Sequence, residues 1–194
     1  MNRSFKFLLL GALCLQLAAC CKPGSRCCDS KSATPVPALS WKDELKAEIP
    51  LLGHRNWIVV TDMAYPLQTQ AGIKTVNTGA EYMDILHFVY GEIEKAPHIK
   101  AAVYQDRELL YLDGKSVTGI DALREQMKSL LGERRTFIPH DKLIDRLDEV
   151  SRKFNVIILK SNLTVPYTST FFELDCNYWD SAGETALRNK MPAE

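Results

Sequence analysis

The chain lacks an excess of charge of either sign. Its 194 residues contain 24 Lys and Arg against 24 Asp and Glu, so the formal net charge at pH 7 is zero. A protein that binds the phosphate backbone of nucleic acids needs a large basic surface. Nucleic acid is therefore not an expected partner. The length and the 46% apolar content fit one globular α/β or α+β domain.

The apolar run near the start of the chain is short. It extends from Phe7 through Ala19 after a positively charged start, and it is too short for an ordinary transmembrane helix. This pattern predicts a cleaved signal peptide at residues 1–19. The tetrad Leu17-Ala18-Ala19-Cys20 resembles the bacterial lipobox, so Cys20 is predicted to become a lipid-bearing N-terminus. The alternative is an ordinary secretory signal that ends near a cysteine. Either interpretation exports the protein, and the first anchors it in the bacterial cell envelope, facing the periplasm.

Residues 20–40 are rich in Pro, Ser, Gly and Thr, which predicts a flexible tether that carries the lipid. The folded domain is predicted at residues 41–194. Four further cysteines are left for incidental disulfides in an oxidising compartment: Cys21, Cys27, Cys28 and Cys176. The adjacent cysteine pairs lack the spacing of a zinc site, so no metal site is predicted.

Short apolar runs alternate with amphipathic stretches from Trp41 onward. The apolar runs predict strands buried on both faces at residues 58–60, 101–103 and 156–159, and a final strand is predicted at 168–175. Apolar stripes at helical spacing predict helices at residues 41–52, 80–95, 120–130 and 143–150. This order predicts an α/β fold with a largely parallel sheet and helices on both faces.

Ligands of such sheets bind where strands end and loops begin. Asp62 follows the first predicted strand, and Lys160 and Ser161 follow the third. His54 precedes the first strand, and a strand of five residues spans about 17 Å. His54 and Asp62 therefore cannot touch unless a loop folds back or two subunits contribute. The spacing alone favours a surface position for His54 and capping roles for Asp62 and for His140, which follows a proline.

The chain has no nucleophile elbow, no glycine-rich phosphate loop and no metal-binding histidine spacing. The remaining histidines also carry no signal of a site. His87 and His98 lie on or beside the helix predicted at 80–95, and we interpret both as ordinary packing or surface residues.

Three blocks of sequence nevertheless match one known pattern, in order. They are Gly53-His54 with the apolar strand, Asp62 and Pro66; Pro139-His140-Asp141-Lys142; and Ile158-Leu159-Lys160-Ser161 with Pro166-Tyr167-Thr168-Ser169. Together they resemble the ribose pyranase and fucose mutarotase family (RbsD/FucU) over roughly residues 45–176. The resemblance implies the family's fold and its activity, which is cofactor-independent interconversion of ring or anomeric forms of a free aldose by general acid/base catalysis.

The resemblance also implies a site. His54 would be the catalytic acid/base. The residues expected to bind the sugar are Asp62, His140, Lys160, Tyr167, Thr168 and Ser169. Family members form rings with sites between neighbouring subunits, so a homo-oligomer with inter-subunit sites is implied. Ser169 stands where the family has Asn, and a hydroxyl replaces an amide there, so recognition of the sugar is expected to differ.

Two rival functions remain open at this point. One is a sugar-binding lipoprotein that keeps the fold without catalysis, and the other is a hydrolase or lyase that acts on cell-surface glycans. The tail Cys176-Asn177-Tyr178-Trp179 extends beyond the usual end of the family. Its aromatic residues are predicted to cover the core, and the alternative is that they form the floor of a sugar site.

Overall fold

The computed structural model describes residues 39–192 of the chain. Within that range the helices are α1 (Trp41–Glu48), α2 (Tyr82–Lys95), α3 (Ile120–Leu131), α4 (His140–Val150) and α5 (Ser181–Arg188). The strands are β1 (Trp57–Thr61), β2 (Ile73–Asn77), β3 (Ile99–Asp106), β4 (Arg135–Ile138), β5 (Val156–Lys160) and β6 (Thr170–Cys176). The predicted signal peptide, the lipidated Cys20 and nearly all of the predicted tether lie outside the described residues. No helix between residues 39 and 192 is long and apolar enough to cross a membrane.

The strands form one sheet in the order β2-β5-β1-β6-β3-β4. The pairs β1–β5, β2–β5 and β3–β4 are parallel. Strand β6 is antiparallel to both of its neighbours, β1 and β3. Five strands therefore run in one direction, and β6 runs in the other. This confirms the predicted α/β fold with a largely parallel sheet.

Helices cover both faces of the sheet. Ile58 and Val60 of β1 pack in the larger apolar cluster, which includes residues of α1, α2 and α3. Trp57 and Val59 point to the other face, where they pack with Leu143 of α4. Because successive side chains of a strand alternate between faces, a strand covered on both sides must be apolar throughout. The predicted strands at 58–60 and 156–159 are confirmed for this reason.

The predicted helices are present, although the helix predicted at 41–52 is shorter than expected. Helix α1 ends at Glu48, and a short 3₁₀ turn that contains Pro50 follows at Ile49–Leu51. Helix α3 ends at Gly132, whose φ of +67° lies in the left-handed region that favours glycine. Tyr82, Leu86 and Ile93 of α2 are buried on the stripe that the helical spacing predicts.

Three elements were not predicted, because their sequences carry no strong apolar pattern. Strands β2 and β4 are the outermost strands of the sheet and are only partly buried. Helix α5 buries none of its residues. The prediction that 101–103 is buried on both faces is wrong at Ala102, which is exposed. Lys100, two residues earlier on the same face of β3, is exposed as well, so this face of the strand is open to solvent here.

A buried polar cluster holds the start of β6. The Tyr82 hydroxyl donates to the Thr168 carbonyl at 2.6 Å and lies 2.7 Å from Thr170 Oγ1. Gln105 Nε2 donates to the same Thr170 oxygen at 2.9 Å. Since unpaired polar groups are costly in an apolar core, these bonds tie α2, β3 and β6 to one arrangement.

We expect Tyr82→Phe to lower the free energy of unfolding by about 1–3 kcal/mol, because it leaves the buried Thr168 carbonyl without its donor. Urea denaturation of the full chain measures this. The matched control is Tyr178→Phe, since Tyr178 is 78% exposed and should change stability by less than about 0.5 kcal/mol. Equal effects of the two substitutions would show that the Tyr82 hydroxyl is not a structural hydrogen-bond donor.

Candidate functional site

Polar side chains gather at the edge of the sheet where the five parallel strands end. Asp62 directly follows β1, Asp106 is the last residue of β3, and His140 begins α4 two residues after β4. Ser161 follows β5. The opposite edge holds the start of β1 and the end of β6, where His54 and Asp175 lie. The two edges therefore present two separate groups of polar side chains.

A cavity of about 470 Å³ opens at the first edge. Its volume falls in the range of ordinary small-molecule sites. The lining residues that matter most are Asp62, Tyr65, Pro66, His140, Pro166 and Tyr167. A carboxylate and an imidazole thus face a wall that is otherwise largely apolar and aromatic, which suits a small ligand with both polar and apolar surface.

Two loops form the walls of this cavity, and hydrogen bonds hold them together. Asp62 Oδ1 accepts from the Ala64 N–H at 2.7 Å, which closes a tight turn after β1. The Met63 N–H donates to the Leu163 carbonyl at 2.7 Å and joins the loop after β1 to the loop after β5. The Lys160 ammonium donates to the Tyr65 carbonyl at 2.5 Å. Lys160, predicted to bind sugar, thus supports the wall from behind and is not among the lining residues.

His140 is paired with a buried carboxylate. Its Nδ1 lies 3.0 Å from Asp106 Oδ1. Asp106 is fully buried, whereas the His140 side chain is partly exposed to the cavity. The backbone N–H of His140 donates to the Glu108 carboxylate, which satisfies a free donor at the start of α4. With Nδ1 bonded to Asp106, Nε2 is the ring atom left for a ligand.

Burial raises the pKa of Asp106 from 3.8 to about 6, although hydrogen bonds from His140 and from the Ser169 backbone oppose the shift. Its Oδ2 is buried and has no hydrogen-bond partner among the described residues. A carboxyl group in this state can take up or release a proton close to neutral pH. The pair of Asp106 and His140 is therefore suited to proton transfer or to a hydrogen bond whose strength changes with protonation.

Tyr167 stands at the mouth of the cavity in an unusual backbone conformation. Its φ is +56°, in the left-handed region that few residues other than glycine adopt. The phenol ring meets the His140 imidazole edge to face, with 5.6 Å between ring centroids. Such strain costs about 1–3 kcal/mol and is concentrated at functional sites.

Thr168 and Ser169, the two residues after Tyr167, were expected to contact the sugar, but the structure does not place them in the cavity wall. Thr168 and Ser169 are both buried and are not among the cavity-lining residues. Thr168 Oγ1 donates to the Val165 carbonyl at 3.0 Å. The observed contact of Thr168 is structural, and Ser169 is buried away from the cavity wall.

His54 lies at the opposite edge of the sheet from Asp62 and His140. Its Nδ1 is 2.6 Å from Asp175 Oδ1. Strand β1 separates it from the cavity by about 17 Å, so one chain does not bring the predicted catalytic histidine to the predicted sugar-binding residues. The other two histidines are ordinary, as predicted. His87 is exposed, and His98 Nε2 lies 3.2 Å from the carbonyl oxygens of Ile49 and Leu52.

The prediction that the tail aromatics cover the core is wrong. Tyr178 is 78% exposed and Trp179 is 46% exposed. Helix α5 packs none of its side chains into the core, so the tail turns outward and does not close over the sheet. Trp179 lines a second cavity, beside His54. Cys176, the one cysteine among residues 39–192, is partly buried at the end of β6.

Asp106 is a residue of the candidate site that the sequence did not predict. The rule that ligands bind at the carboxyl ends of strands would have found it, but the strand was predicted to end at residue 103, and β3 continues to Asp106. The buried Gln105 and Asp106 carry no apolar signal, so the end of this strand is invisible in the hydrophobic pattern. Among the residues that the structure describes, no group of three His, Cys, Asp or Glu could hold a metal ion.

We expect the stability of the wild-type chain, relative to Asp106→Asn, to increase as the pH falls from about 6 to about 4. The pKa of Asp106 is about 6 in the folded chain, against an ordinary value of 3.8 for the unfolded chain. As the pH falls, the folded chain therefore takes up a proton before the unfolded chain does. The gain should be on the order of 2–3 kcal/mol over this window and should be absent above it. Denaturation of both chains across pH 4–8 measures it.

The exposed Asp145 provides the control for this experiment. Asp145→Asn should follow the wild-type pH profile. Parallel profiles for wild type and Asp106→Asn would contradict a raised pKa at Asp106.

Comparison with known proteins finds similarity in structure and none in sequence. No protein-family model matches the chain, and no curated protein matches it in sequence. The structure is similar to that of RbsD from Bacillus subtilis complexed with D-ribose, with 14% identity, a TM-score of 0.49, and coverage of 68% of this chain and 91% of that one. It is also similar to the fucose mutarotase from Streptococcus pneumoniae in complex with L-fucose, with 16% identity, a TM-score of 0.47, and coverage of 72% and 98%.

Proposed function

We propose that the protein is a cofactor-independent monosaccharide mutarotase or pyranase, which interconverts ring or anomeric forms of a free aldose. One observation carries the proposal. Three sequence blocks that lie far apart in the chain, and that together resemble the RbsD/FucU family, contribute Asp62, His140 and Tyr167 to a single cavity.

The composition of the cavity also supports a sugar ligand. An aldose ring carries hydroxyl groups around its rim and C–H groups on its faces. Asp62 and His140 supply hydrogen-bonding groups for hydroxyls, and Asp62 Oδ2 has no partner among residues 39–192. Pro66, Pro166 and Tyr167 supply flat apolar surface for the ring. This division of the wall matches the two kinds of surface on a monosaccharide.

Interconversion needs two proton movements and no redox change. A neutral imidazole takes the proton of the anomeric hydroxyl, the bond between C1 and the ring oxygen breaks, and C1 becomes an aldehyde. The imidazolium returns its proton to the former ring oxygen, and closure on either face of the aldehyde reverses these steps. In the proposal His54 performs the proton transfers, because histidine titrates near neutral pH. Asp62 and His140 hold the other hydroxyls.

The proposal requires that His54 comes from a neighbouring subunit, because the His54 of the same chain lies at the opposite edge of the sheet from the cavity with Asp62 and His140. Large apolar side chains are exposed at the edge that carries the cavity, namely Met63, Leu67, Leu110, Tyr111 and Tyr167. Exposed apolar surface around a site is typical of a protein–protein contact. A second copy of the chain that covers this edge would bury these residues and deliver the missing histidine.

A sugar-binding protein without catalysis is the second candidate. The observation that favours it is the placement of His54, because a single chain has Asp62, His140 and Tyr167 in its cavity without an additional proton-transferring histidine. Such a protein would bind an aldose and leave its anomeric exchange unchanged.

We expect the full chain to accelerate anomeric exchange of at least one aldose, measured by NMR saturation transfer over a panel of free monosaccharides. His54→Ala should reduce the enzymatic exchange by about 10²- to 10⁴-fold, the usual contribution of general acid/base catalysis. The exposed His87 on α2 provides the matched control, and His87→Ala should exchange at the wild-type rate. Broadened sugar signals without faster exchange would indicate the binding protein. Sugar released from an oligosaccharide would indicate a glycan hydrolase or lyase.

We also expect two inactive variants to complement each other. His54→Ala and His140→Ala chains, unfolded together and refolded as an equal mixture, should recover about a quarter of the wild-type exchange, because random assembly brings both intact histidines to that share of the inter-subunit sites. Each variant refolded alone is the control. No recovery in the mixture, with both variants folded, would contradict a site shared between subunits.

A further inference from the structure

A second cavity, of about 390 Å³, lies at the edge of the sheet opposite the first. Its wall consists of His54 before β1, Asp175 and Cys176 at the end of β6, and side chains of the tail that include Trp179 and Glu184. The proposed function uses only His54 from this set. The end of β6 and the segment that follows it therefore provide groups around the histidine that the proposed reaction has not yet used.

Asp175 controls the orientation of His54. Its Oδ1 lies 2.6 Å from His54 Nδ1 and also accepts from the Cys176 N–H at 2.7 Å. Burial alone would raise the pKa of Asp175, but these hydrogen bonds outweigh it and hold the pKa below its ordinary value. The carboxylate is therefore ionised at neutral pH and favours a proton on Nδ1. Nε2 is then the nitrogen with a free lone pair, which is the form that a base needs.

Helix α5 fixes the position of the Trp179 indole. Its Nε1–H donates to Glu184 Oε2 at 2.9 Å, and Arg188 Nε donates to the other oxygen of Glu184 at 2.7 Å. The indole lies over the first turn of α5, where a Cβ at Gly183 would be 3.5 Å from it. Asp180 Oδ1 accepts from the Gly183 N–H at 2.7 Å and caps the helix. A large aromatic side chain is thus held in place while remaining 46% exposed at the cavity.

The arrangement explains why α5 exists although it buries nothing. A helix without buried residues contributes little to the stability of the core. Its side-chain bonds instead hold Trp179 beside His54, which the neighbouring Asp175 carboxylate orients. Aromatic rings offer a flat apolar surface, and a sugar ring presents its C–H face to such a surface.

We propose that this cavity is the acid/base half of the sugar site, in which Asp175 is a positioning residue for His54 and Trp179 supplies the surface against which the aldose ring stacks. The inference rests on the proposed function, since it takes a free aldose as the ligand. It adds two residues to the reaction and assigns a role to the tail. Across the subunit contact, the Asp62 and His140 cavity would hold the hydroxyl groups of the same sugar.

Asp175→Asn and Trp179→Ala, each in the full chain, test the two roles separately. Asp175→Asn should lower kcat for anomeric exchange by about 10- to 100-fold with KM within about twofold, because the amide no longer favours one form of the imidazole. Long-range ¹H–¹⁵N NMR should show the Nδ1–H form of His54 in the wild type and a mixture in the variant. Trp179→Ala should raise KM by about 3- to 10-fold with a smaller effect on kcat.

Two matched substitutions serve as controls. Tyr178→Ala removes an adjacent exposed aromatic that is not among the residues lining the cavity, and Asp145→Asn removes an exposed carboxylate on α4. Both should retain wild-type kcat and KM. Because Trp179 packs outside the core, Trp179→Ala should fold even if Asp175→Asn does not, and it then decides the stacking role alone.

The outcomes separate the inference from the proposed function. Wild-type exchange that persists unchanged in Asp175→Asn and in Trp179→Ala overturns the inference and leaves the function standing. If the wild type exchanges no sugar, the proposed catalysis fails. Sugar binding, measured by saturation-transfer difference NMR, then tests whether the cavity with Trp179 binds the sugar. Binding that is lost in Trp179→Ala and kept in Tyr178→Ala supports the stacking of the sugar on Trp179. Binding that survives in both Trp179→Ala and Tyr178→Ala, or that is absent from the wild type, overturns the inference.

Discussion

The hydrogen bonding of β6 is the constraint on which the rest of the structure depends. Without this strand the sheet would divide into two parallel groups, β2-β5-β1 and β3-β4. The antiparallel pairs that β6 makes with β1 and with β3 join these groups and force their strands to point the same way. All five parallel strands therefore end at one edge, where Asp62, Asp106 and His140 meet. Strand β6 begins at that edge with Thr170 and ends at the other with Cys176, so it also links the two groups of functional residues.

Buried polar residues of the sheet are concentrated at the site edge, where Thr61 ends β1, Gln105 and Asp106 end β3, and Thr170 begins β6. Gln105 and Thr170 are satisfied by hydrogen bonds within the core. Asp106 differs, because one of its oxygens is buried without a partner among the described residues and its pKa is raised. A carboxyl group in this position opposes folding at neutral pH, as does the left-handed backbone of Tyr167. Both contact His140, Asp106 at Nδ1 and Tyr167 at the ring, so two features that oppose folding lie at the same imidazole of the cavity.

The parts of this structure that the sequence predicts are those in which one physical signal dominates. Val59 and Ile158 lie in strands covered on both faces, so their apolar runs are unmistakable, and the stripe of α2 is equally clear. The edge strands carry mixed residues because they are half exposed, and no residue of α5 is buried. Asp62 was predicted from its place after a buried strand, and Asp62 and His140 were both predicted from the resemblance to a known family. Asp106 and Asp175 were not, because a carboxylate acquires its role only from the histidine that the fold places beside it.

The positions of the two histidine–aspartate pairs have a consequence for how activity would depend on the amount of protein. If His54 and His140 serve one site, a single folded chain holds both halves of that site and no complete copy of it. Turnover per chain would then fall when the protein is diluted below the dissociation constant of the subunit contact, even at saturating sugar. The rate of sugar exchange would rise more steeply than the concentration of the chain, and the abundance of the protein in its compartment would act as a threshold for its own activity.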